Sequence, residues 1–221
     1  MARQDKRQTA ERFEKEIRVP VRFEYLLYLP REYQRSQNRW PLVMFLHGAG
    51  ETGSDLNMVK YHGPPKMVEQ GRDFPFVLVS PQSPVRGWDV RALGALMDEC
   101  AAKYKIDPAK LYITGLSMGG NGVWNFLAIH PGKAAAAIPI CGWGDPNAAP
   151  KMKDTPIWAF HGAKDDVVPT DASRTMVEAV QKAGGGAKLT VYPSAGHDSW
   201  TETYNNQEVW DWLLAQKKSG R

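Results

Sequence analysis

Ser117 lies in the segment Gly115-Leu116-Ser117-Met118-Gly119, which has the pattern Gly-x-Ser-x-Gly. Glycines two residues to either side let a strand turn sharply into a helix, because side chains there would collide with neighbouring elements. Such a turn holds the serine hydroxyl clear of the sheet, where it can attack a carbonyl carbon. The same five residues can also form an ordinary turn, so the interpretation depends on what precedes and follows them.

The segments on both sides of Ser117 supply that context. An apolar run at 111–114 leads directly into the turn, and a helical pattern follows at 121–129. Strand, turn and helix in this order are what the nucleophile motif requires. The backbone N–H of Met118 would then stand at the start of a helix, where it can donate to a developing oxyanion.

A serine nucleophile also needs a base, and the base needs an acid that fixes its tautomer. In one known chain order the serine is followed by Asp or Glu and then by His. Asp165 comes after an apolar run at 157–160, and His197 comes after a run at 189–192. We therefore predict Asp165 as the acid and His197 as the base. Asp166 remains an alternative to Asp165, and the aspartate not used would be a loop charge or a helix N-cap.

A glycine-rich segment after an early apolar run predicts the second half of an oxyanion hole. It reads His47-Gly48-Ala49-Gly50, and its small residues let the backbone approach a tetrahedral intermediate. We predict that the Ala49 N–H is the second donor, beside that of Met118. His47 precedes this donor, so a role in holding the shape of the loop is favoured over a role as the base.

Three tryptophans follow strands at the same predicted edge of the sheet. Trp88, Trp143 and Trp200 could line a small apolar or aromatic pocket for an acyl or phenolic group. Any one of them could equally be a packing residue. Trp143 is the best candidate of the three, because glycines flank it in a loop that can come near Ser117.

The candidate residues stand at the ends of apolar segments that alternate with helical patterns. Seven strands are predicted, at 23–29, 42–46, 76–80, 111–114, 135–140, 157–160 and 189–192. Between several of them apolar residues recur every three or four positions, most clearly at 90–104. This alternation predicts an α/β fold with a mostly parallel sheet, helices on both faces and no separate lid domain. The short polar link at 34–39 also suggests that the first two strands form an antiparallel hairpin.

Length and composition fit one globular domain. The chain has 221 residues, of which 43% are hydrophobic and 24% charged. No apolar run approaches the ~20 residues of a membrane span. We expect a mixed-charge N-terminal arm at 1–22 and a single catalytic domain at 23–221. The net charge of +4 comes without a nucleic-acid recognition motif, so neither a nucleic acid nor a membrane is expected as a partner.

The N-terminal segment and the cysteines bear on the compartment. The first residues lack the apolar core of a signal peptide, which favours a cytoplasmic protein, although removal of a leader would leave the same sequence. Cys100 and Cys141 do not make a disulfide framework. These residues imply neither a metal nor an organic cofactor.

Taken together, the motifs resemble those of α/β-hydrolase esterases. Four motifs are similar to those of the phospholipase/carboxylesterase group. They are the segment 46–53, the turn at Ser117, His161-Gly162 with Asp165 and Val168-Pro169, and Gly196-His197-Asp198. With 62–65 and 76–82 added, the chain looks more like bacterial carboxylesterases often labelled predicted peptidases, relatives of polyhydroxybutyrate-depolymerase-like and feruloyl esterases. The resemblance spans 23–214. It implies an α/β-hydrolase fold, the triad Ser117, Asp165 and His197, and the oxyanion donors Ala49 and Met118.

The function expected from these residues is that of a serine carboxylesterase. It would hydrolyse short-acyl or small aromatic esters through an acyl-enzyme, with a small-molecule ester as its partner. A feruloyl esterase, a thioesterase or a peptidase could use the same triad. The non-enzymatic alternative is a catalytically silent binding protein of the same fold, which would be favoured if the acid or the base were absent.

Overall fold

Seven strands form one sheet in the computed structural model, which describes residues 10–16 and 18–218. They are β1 (Glu24–Tyr28), β2 (Trp40–Leu46), β3 (Val77–Gln82), β4 (Ile106–Leu116), β5 (Ala136–Ile140), β6 (Ile157–Gly162) and β7 (Ala187–Tyr192). Each of the seven predicted strands is confirmed, and β4 begins earlier than the run at 111–114 indicated. The predicted arm at 1–22 lies partly outside the described residues, and its described part forms no helix or strand.

The strand order is β1-β3-β2-β4-β5-β6-β7, and all neighbours are parallel except β1 and β3. The predicted antiparallel hairpin of the first two strands is therefore wrong, since β1 pairs with β3 and places Leu26 opposite Ser80. From Leu42 onward β2 is buried on both faces, which suits a strand between two parallel neighbours. β1 has exposed positions, which suit the edge of a sheet.

Helices cover both faces of the sheet, as the alternation of patterns predicted. They are α1 (Gly63–Glu69), α2 (Val90–Lys103), α3 (Met118–Ile129), α4 (Thr170–Lys182), α5 (Trp200–Asn205) and α6 (Gln207–Ala215), with short 3-10 helices at Ala49–Glu51, Leu56–Tyr61 and Pro146–Lys151. Among the described residues, no helix combines the length and the apolar character needed to cross a membrane.

Two apolar cores lie on opposite sides of the sheet. Along β2, Leu42, Met44 and Leu46 face one core, whereas Val43 and Phe45 face the other. This alternation is the ordinary consequence of the two-residue repeat of a strand. Buried residues of α2, α3 and α4 belong to the first core, and those of α5 and α6 belong to the second. The two layers of helices fix the sheet from both sides.

The carboxyl ends of the parallel strands bring the candidate residues to one edge. The predicted donor loop follows β2, Ser117 follows β4, and the loops with Asp165 and His197 follow β6 and β7. In an open α/β sheet, this edge is where binding sites form. The fold therefore assembles residues that lie far apart in the sequence.

Phe45 tests how much the second core contributes to stability. Its ring is fully buried, and it packs edge-on against Tyr204 with ring centroids 6.0 Å apart. We expect Phe45→Ala to lower the free energy of unfolding by about 3–5 kcal/mol, because the lost ring leaves a cavity. Urea unfolding measures the change. Val85→Ala, in an exposed loop, is the control and should cost about 0.5 kcal/mol; equal effects would contradict the prediction.

Candidate active site

Ser117 occupies a strained turn between β4 and α3. Its φ of 53° and ψ of −116° are rare for a residue with a side chain, and such a conformation costs roughly 1–3 kcal/mol. The Ser117 N–H donates to the Ile140 carbonyl oxygen at 2.9 Å, which fixes the turn to the end of β5. The motif's predicted strand-to-helix context is confirmed.

The glycines of the turn are required by close backbone contacts. A Cβ on Gly119 would overlap the carbonyl oxygen of Leu46, at the end of β2. A Cβ on Gly115 would lie 2.6 Å from the Gly119 carbonyl oxygen, well inside van der Waals contact. The turn at Ser117 can therefore approach the end of β2 only because both positions lack a side chain.

His197 connects Ser117 to Asp165 through its two ring nitrogens. Nε2 lies 3.0 Å from Ser117 Oγ, and Nδ1 lies 2.8 Å from Asp165 Oδ2. An ionised aspartate can only accept, so Nδ1 carries the proton and Nε2 is free to accept the serine proton. The structure brings the three predicted residues together in the order that nucleophilic catalysis needs.

Asp165 is held by more than the base. Its Oδ1 accepts the backbone N–H groups of Val167 and Val168, each at 2.9 Å. Burial by itself would raise the pKa of Asp165, but the hydrogen bonds from His197 and from the two backbone amides outweigh it, and the net pKa is lowered. The carboxylate therefore stays charged opposite His197. Asp166 is exposed, and the geometry places Asp165 in the predicted acid position.

A second histidine, His161, also contacts the acid. Its Nε2 lies 3.1 Å from Asp165 Oδ2 and 2.9 Å from the Val168 carbonyl oxygen, while Nδ1 lies 2.7 Å from Ser173 Oγ. The side chains of His161 and Asp165 are both fully buried. His161 therefore ties the loop that carries Asp165 to α4.

The predicted oxyanion donors stand at two helix starts. Ala49 begins the 3-10 helix Ala49–Glu51, and Met118 begins α3. The first N–H groups of a helix have no acceptor within it, so both are available to a ligand. A Cβ on Gly48 would lie 2.8 Å from Leu116 Cδ1, which shows how closely the donor loop packs on the residue before Ser117.

His47 holds the donor loop in place, as its position predicted. Its Nε2 accepts the Ser83 N–H at 3.0 Å, so the proton resides on Nδ1, which donates to the Gly48 carbonyl oxygen at 2.6 Å. Burial lowers the pKa of His47, which keeps the ring neutral. The loop after β2 is thereby fixed to the loop after β3.

Two of the three predicted tryptophans lie near the triad. The ring of Trp200 stands perpendicular to that of His197, with centroids 5.4 Å apart. Trp143 is 40% exposed, and its carbonyl oxygen accepts from Asn121 Nδ2 in the first turns of α3. Trp200 is buried, whereas Trp143 is partly exposed beside α3, and the role of both rings as pocket walls stays a prediction.

Trp88 has different surroundings. Its ring lies 4.7 Å from the ring of His47 and packs on α3, where a Cβ on Gly122 would be 2.8 Å from Trp88 Cδ1. These contacts place Trp88 behind the donor loop, so that it supports His47. Sequence position alone did not distinguish this packing from a place in the pocket.

Cys141 is a buried residue of the site that the motif search did not single out. It follows β5 at the same sheet edge and has a φ of 40°, and its Sγ lies 3.3 Å from Ser117 N. Ligand atoms of Cys141, Asp165 and His197 lie within 4.8 Å of one another. Burial raises the pKa of the Cys141 thiol, so the sulfur stays protonated beside the Ser117 turn. The sequence signal that could have identified Cys141 as a residue of the site is its position directly after a predicted strand.

Gly119 gives a direct test of the close turn. We expect Gly119→Ala to lower the free energy of unfolding by roughly 1–3 kcal/mol, because the added Cβ forces the turn away from β2. Urea unfolding measures the loss. The matched control is Gly186→Ala, where an added Cβ meets nothing within 4 Å. If both variants kept parental stability, the proposed constraint at the turn would be absent.

Known proteins resemble parts of this chain. The "Putative carboxymethylenebutenolidase" of Escherichia coli (strain K12) is 34% identical over 101 residues, covering 41% of this chain and 37% of that protein. The "Probable feruloyl esterase C" of Aspergillus niger is 23% identical over 188 residues, covering 81% of this chain and 69% of that protein. The chain spans between about a fifth and two fifths of the length of the first curated relatives that it matches.

Solved structures and a family model agree with this picture. The structure of a thermostable esterase superposes with a TM-score of 0.78 at 34% identity, covering 90% of this chain and 60% of that one. The model described as the dienelactone hydrolase family matches residues 81–211, which is more than half of the chain and includes Ser117, Asp165 and His197. This protein therefore has the α/β-hydrolase fold and belongs to the dienelactone hydrolase family.

Proposed function

We propose that this protein is a serine carboxylesterase that hydrolyses short-acyl or small aromatic carboxylic esters. The observation that carries the proposal is the unbroken hydrogen-bonded line from Ser117 through His197 to Asp165. A catalytically silent protein of the same fold would have no need to keep all three groups aligned at strand ends. The esterase names of the relatives support the same reaction class.

Acylation follows from the positions of the hydrogen-bonding groups. His197 Nε2 takes the proton of Ser117 as Oγ bonds to the ester carbonyl carbon. The carbonyl oxygen becomes an oxyanion that accepts hydrogen bonds from the Ala49 and Met118 N–H groups. One such donor contributes about 3 kcal/mol to stabilising the transition state. His197 then gives its proton to the alkoxy oxygen, the bond from the carbonyl carbon to that oxygen breaks, and the alcohol leaves.

Deacylation uses the same groups with water in place of Ser117. His197 takes a proton from water as the water oxygen bonds to the acyl carbon, and the oxyanion returns to the same two donors. Collapse breaks the bond to Ser117 Oγ, which recovers its proton from His197. Asp165 stabilises the positive charge on the imidazole during both steps.

The surroundings of the triad favour small acyl groups. Trp143 is 40% exposed and its carbonyl oxygen bonds to Asn121 in α3, so its ring offers aromatic surface near the nucleophile turn that suits a short alkyl or an aromatic acyl group. The relative named as a feruloyl esterase makes hydroxycinnamoyl esters a sensible part of the substrate screen. Hydrolysis rates on a series of short-chain esters and on a series of aromatic esters would show which acyl class the protein prefers.

Replacing Ser117 tests the reaction class and the nucleophile together. We expect wild-type protein to hydrolyse p-nitrophenyl acetate and butyrate, and Ser117→Ala to lower kcat by about 10⁴-fold or more. Release of p-nitrophenol is followed by absorbance, beside a matched series of p-nitroanilides. Ser194→Ala, an exposed serine in the His197 loop, is the control. Amide turnover without ester turnover, or full activity in Ser117→Ala, would contradict the proposal.

Replacing each aspartate in turn tests the choice of the acid. Asp165→Asn should lower kcat by about 10³–10⁴-fold, because the neutral amide no longer fixes the His197 tautomer or stabilises its charged form. Asp166→Asn, one residue away and exposed, should keep kcat within about twofold. Initial rates on one ester measure both variants. A large loss in Asp166→Asn with a small one in Asp165→Asn would reverse the assignment.

A further inference from the structure

His161 is a buried histidine that the proposed reaction does not use, and it lies against the acid of the triad. Its Nε2 is 3.1 Å from Asp165 Oδ2, and both side chains are fully buried. The same carboxylate oxygen lies 2.8 Å from His197 Nδ1. Oδ2 therefore faces two imidazole rings, of which His197 is the one that contacts Ser117.

The neighbours of His161 determine which of its ring nitrogens carries the proton. Nε2 faces two acceptors, the Val168 carbonyl oxygen at 2.9 Å and Asp165 Oδ2, so Nε2 carries a proton. Nδ1 lies 2.7 Å from Ser173 Oγ, a fully buried hydroxyl of α4 that can donate to it. The other acceptor near that hydroxyl, the Gly142 carbonyl oxygen, is farther away at 3.2 Å. The positive end of the Nε2–H bond therefore lies beside Oδ2.

The Asp165 carboxylate meets N–H groups at both of its oxygens. Oδ1 accepts the backbone N–H groups of Val167 and Val168, and Oδ2 faces the rings of His197 and His161. An N–H group beside a carboxylate stabilises its charged form and makes it a weaker acceptor for the next donor. His161 thus lowers the share of the negative charge that is available to the charged form of His197.

Other titratable or charged side chains come from the elements around the acid and the base. They are Cys141 after β5, Lys164 and Asp166 after β6, Asp171 and Arg174 in α4, Asp198 after β7 and Glu202 in α5. Burial raises the pKa of the Cys141 thiol, so it stays protonated. The others are exposed to solvent, which screens their charges. His161 differs from all of them, because its ring nitrogen lies buried at hydrogen-bonding distance from Oδ2.

We infer that His161 is a positioning residue that sets how strongly Asp165 supports the charged form of His197. Its Nε2–H shares Oδ2 with the Nδ1–H of His197, and Ser173 holds the ring of His161 in the orientation that this sharing needs. The sharing limits the stabilisation of protonated His197, so that Nε2 of that ring remains free to accept the Ser117 proton. This inference rests on the proposed esterase function.

The acid side of the pH profile of kcat/KM measures this role, because it reports protonation of the base in the free enzyme. His161→Phe keeps a ring of similar size but has no N–H. We expect it to move the midpoint of the acid side upward by about 0.5–1 pH unit, the effect of one lost hydrogen bond. Without the second N–H, Asp165 stabilises charged His197 more strongly, so the base stays protonated to higher pH. Initial rates on p-nitrophenyl acetate, read at the isosbestic wavelength of nitrophenol, give the profile.

Two further variants separate this role from a purely structural one. His161→Gln keeps a side-chain N–H that can donate to the same oxygens, so it should return the midpoint close to the wild-type value. His130→Gln changes a histidine at the end of α3, where Nε2 lies 2.8 Å from the Val90 carbonyl oxygen, and should leave the midpoint unchanged. A merely structural His161 would lower kcat/KM without moving the midpoint. An unmoved midpoint in His161→Phe, a shift to lower pH, or an equal shift in His161→Gln would overturn the inference.

A measurement that leaves His161 in place covers the case in which His161→Phe does not fold. In protein with isotopically labelled histidine, the Nε2–H signal that is missing from His161→Gln should shift in Asp165→Asn, because the neutral amide attracts that proton less. The Nδ1–H of His47, which donates to the Gly48 carbonyl oxygen, is the internal control and should stay in place. If the His161 signal does not move, its ring serves only the Val168 carbonyl oxygen, and the inference is wrong.

Failure of this inference is distinguishable from failure of the proposed function. If wild-type protein hydrolyses the ester through Ser117 and the midpoint is the same in His161→Phe, only the role of His161 is lost. If wild-type protein hydrolyses no ester, the proposed function is lost, and the signal of His161 in Asp165→Asn still decides whether its N–H interacts with the carboxylate.

Discussion

The close approach of the Ser117 turn to the ends of β2 and β5 is the constraint on which the site depends. Gly119 touches the Leu46 carbonyl oxygen, and the Ser117 N–H reaches that of Ile140. These contacts leave no room for side chains, so they fix the distance between the nucleophile and the loops on both sides. The arrangement requires the strained, positive-φ backbone of Ser117, and the two packed helix layers stabilise it.

Hydrogen bonds and charges hold Asp165 and the predicted donor loop in place. Asp165 is buried yet charged, because two backbone amides and His197 donate to it, and His161 lies against the same oxygen as His197. On the other side of the turn His47 is kept neutral by burial and anchors the donor loop. One buried histidine thus supports Asp165 and another supports the predicted donor loop, which leaves His197 as the ring that contacts Ser117.

Local patterns predicted the strands, the α/β architecture and the order of the motif residues, because these features depend on residues close together in the sequence. Strand pairing was harder: the link at 34–39 suggested a hairpin, but burial on both faces places β2 among parallel neighbours. The choice between Asp165 and Asp166 required the loop's hydrogen bonds. The hydrogen bond between the Ser83 N–H and His47 Nε2 joins two loops that are 36 positions apart, so no local pattern could indicate it.

The central claim is that an acyl group passes through Ser117, and trapping that intermediate tests it most directly. Protein mixed with p-nitrophenyl acetate, quenched in acid within one turnover, digested and analysed by mass spectrometry should carry one acetyl group on the peptide that contains Ser117. Ser117→Ala should carry none. An acetyl group on a peptide with Cys141 or a histidine instead, or equal labelling of the Ser117→Ala protein, would contradict the account.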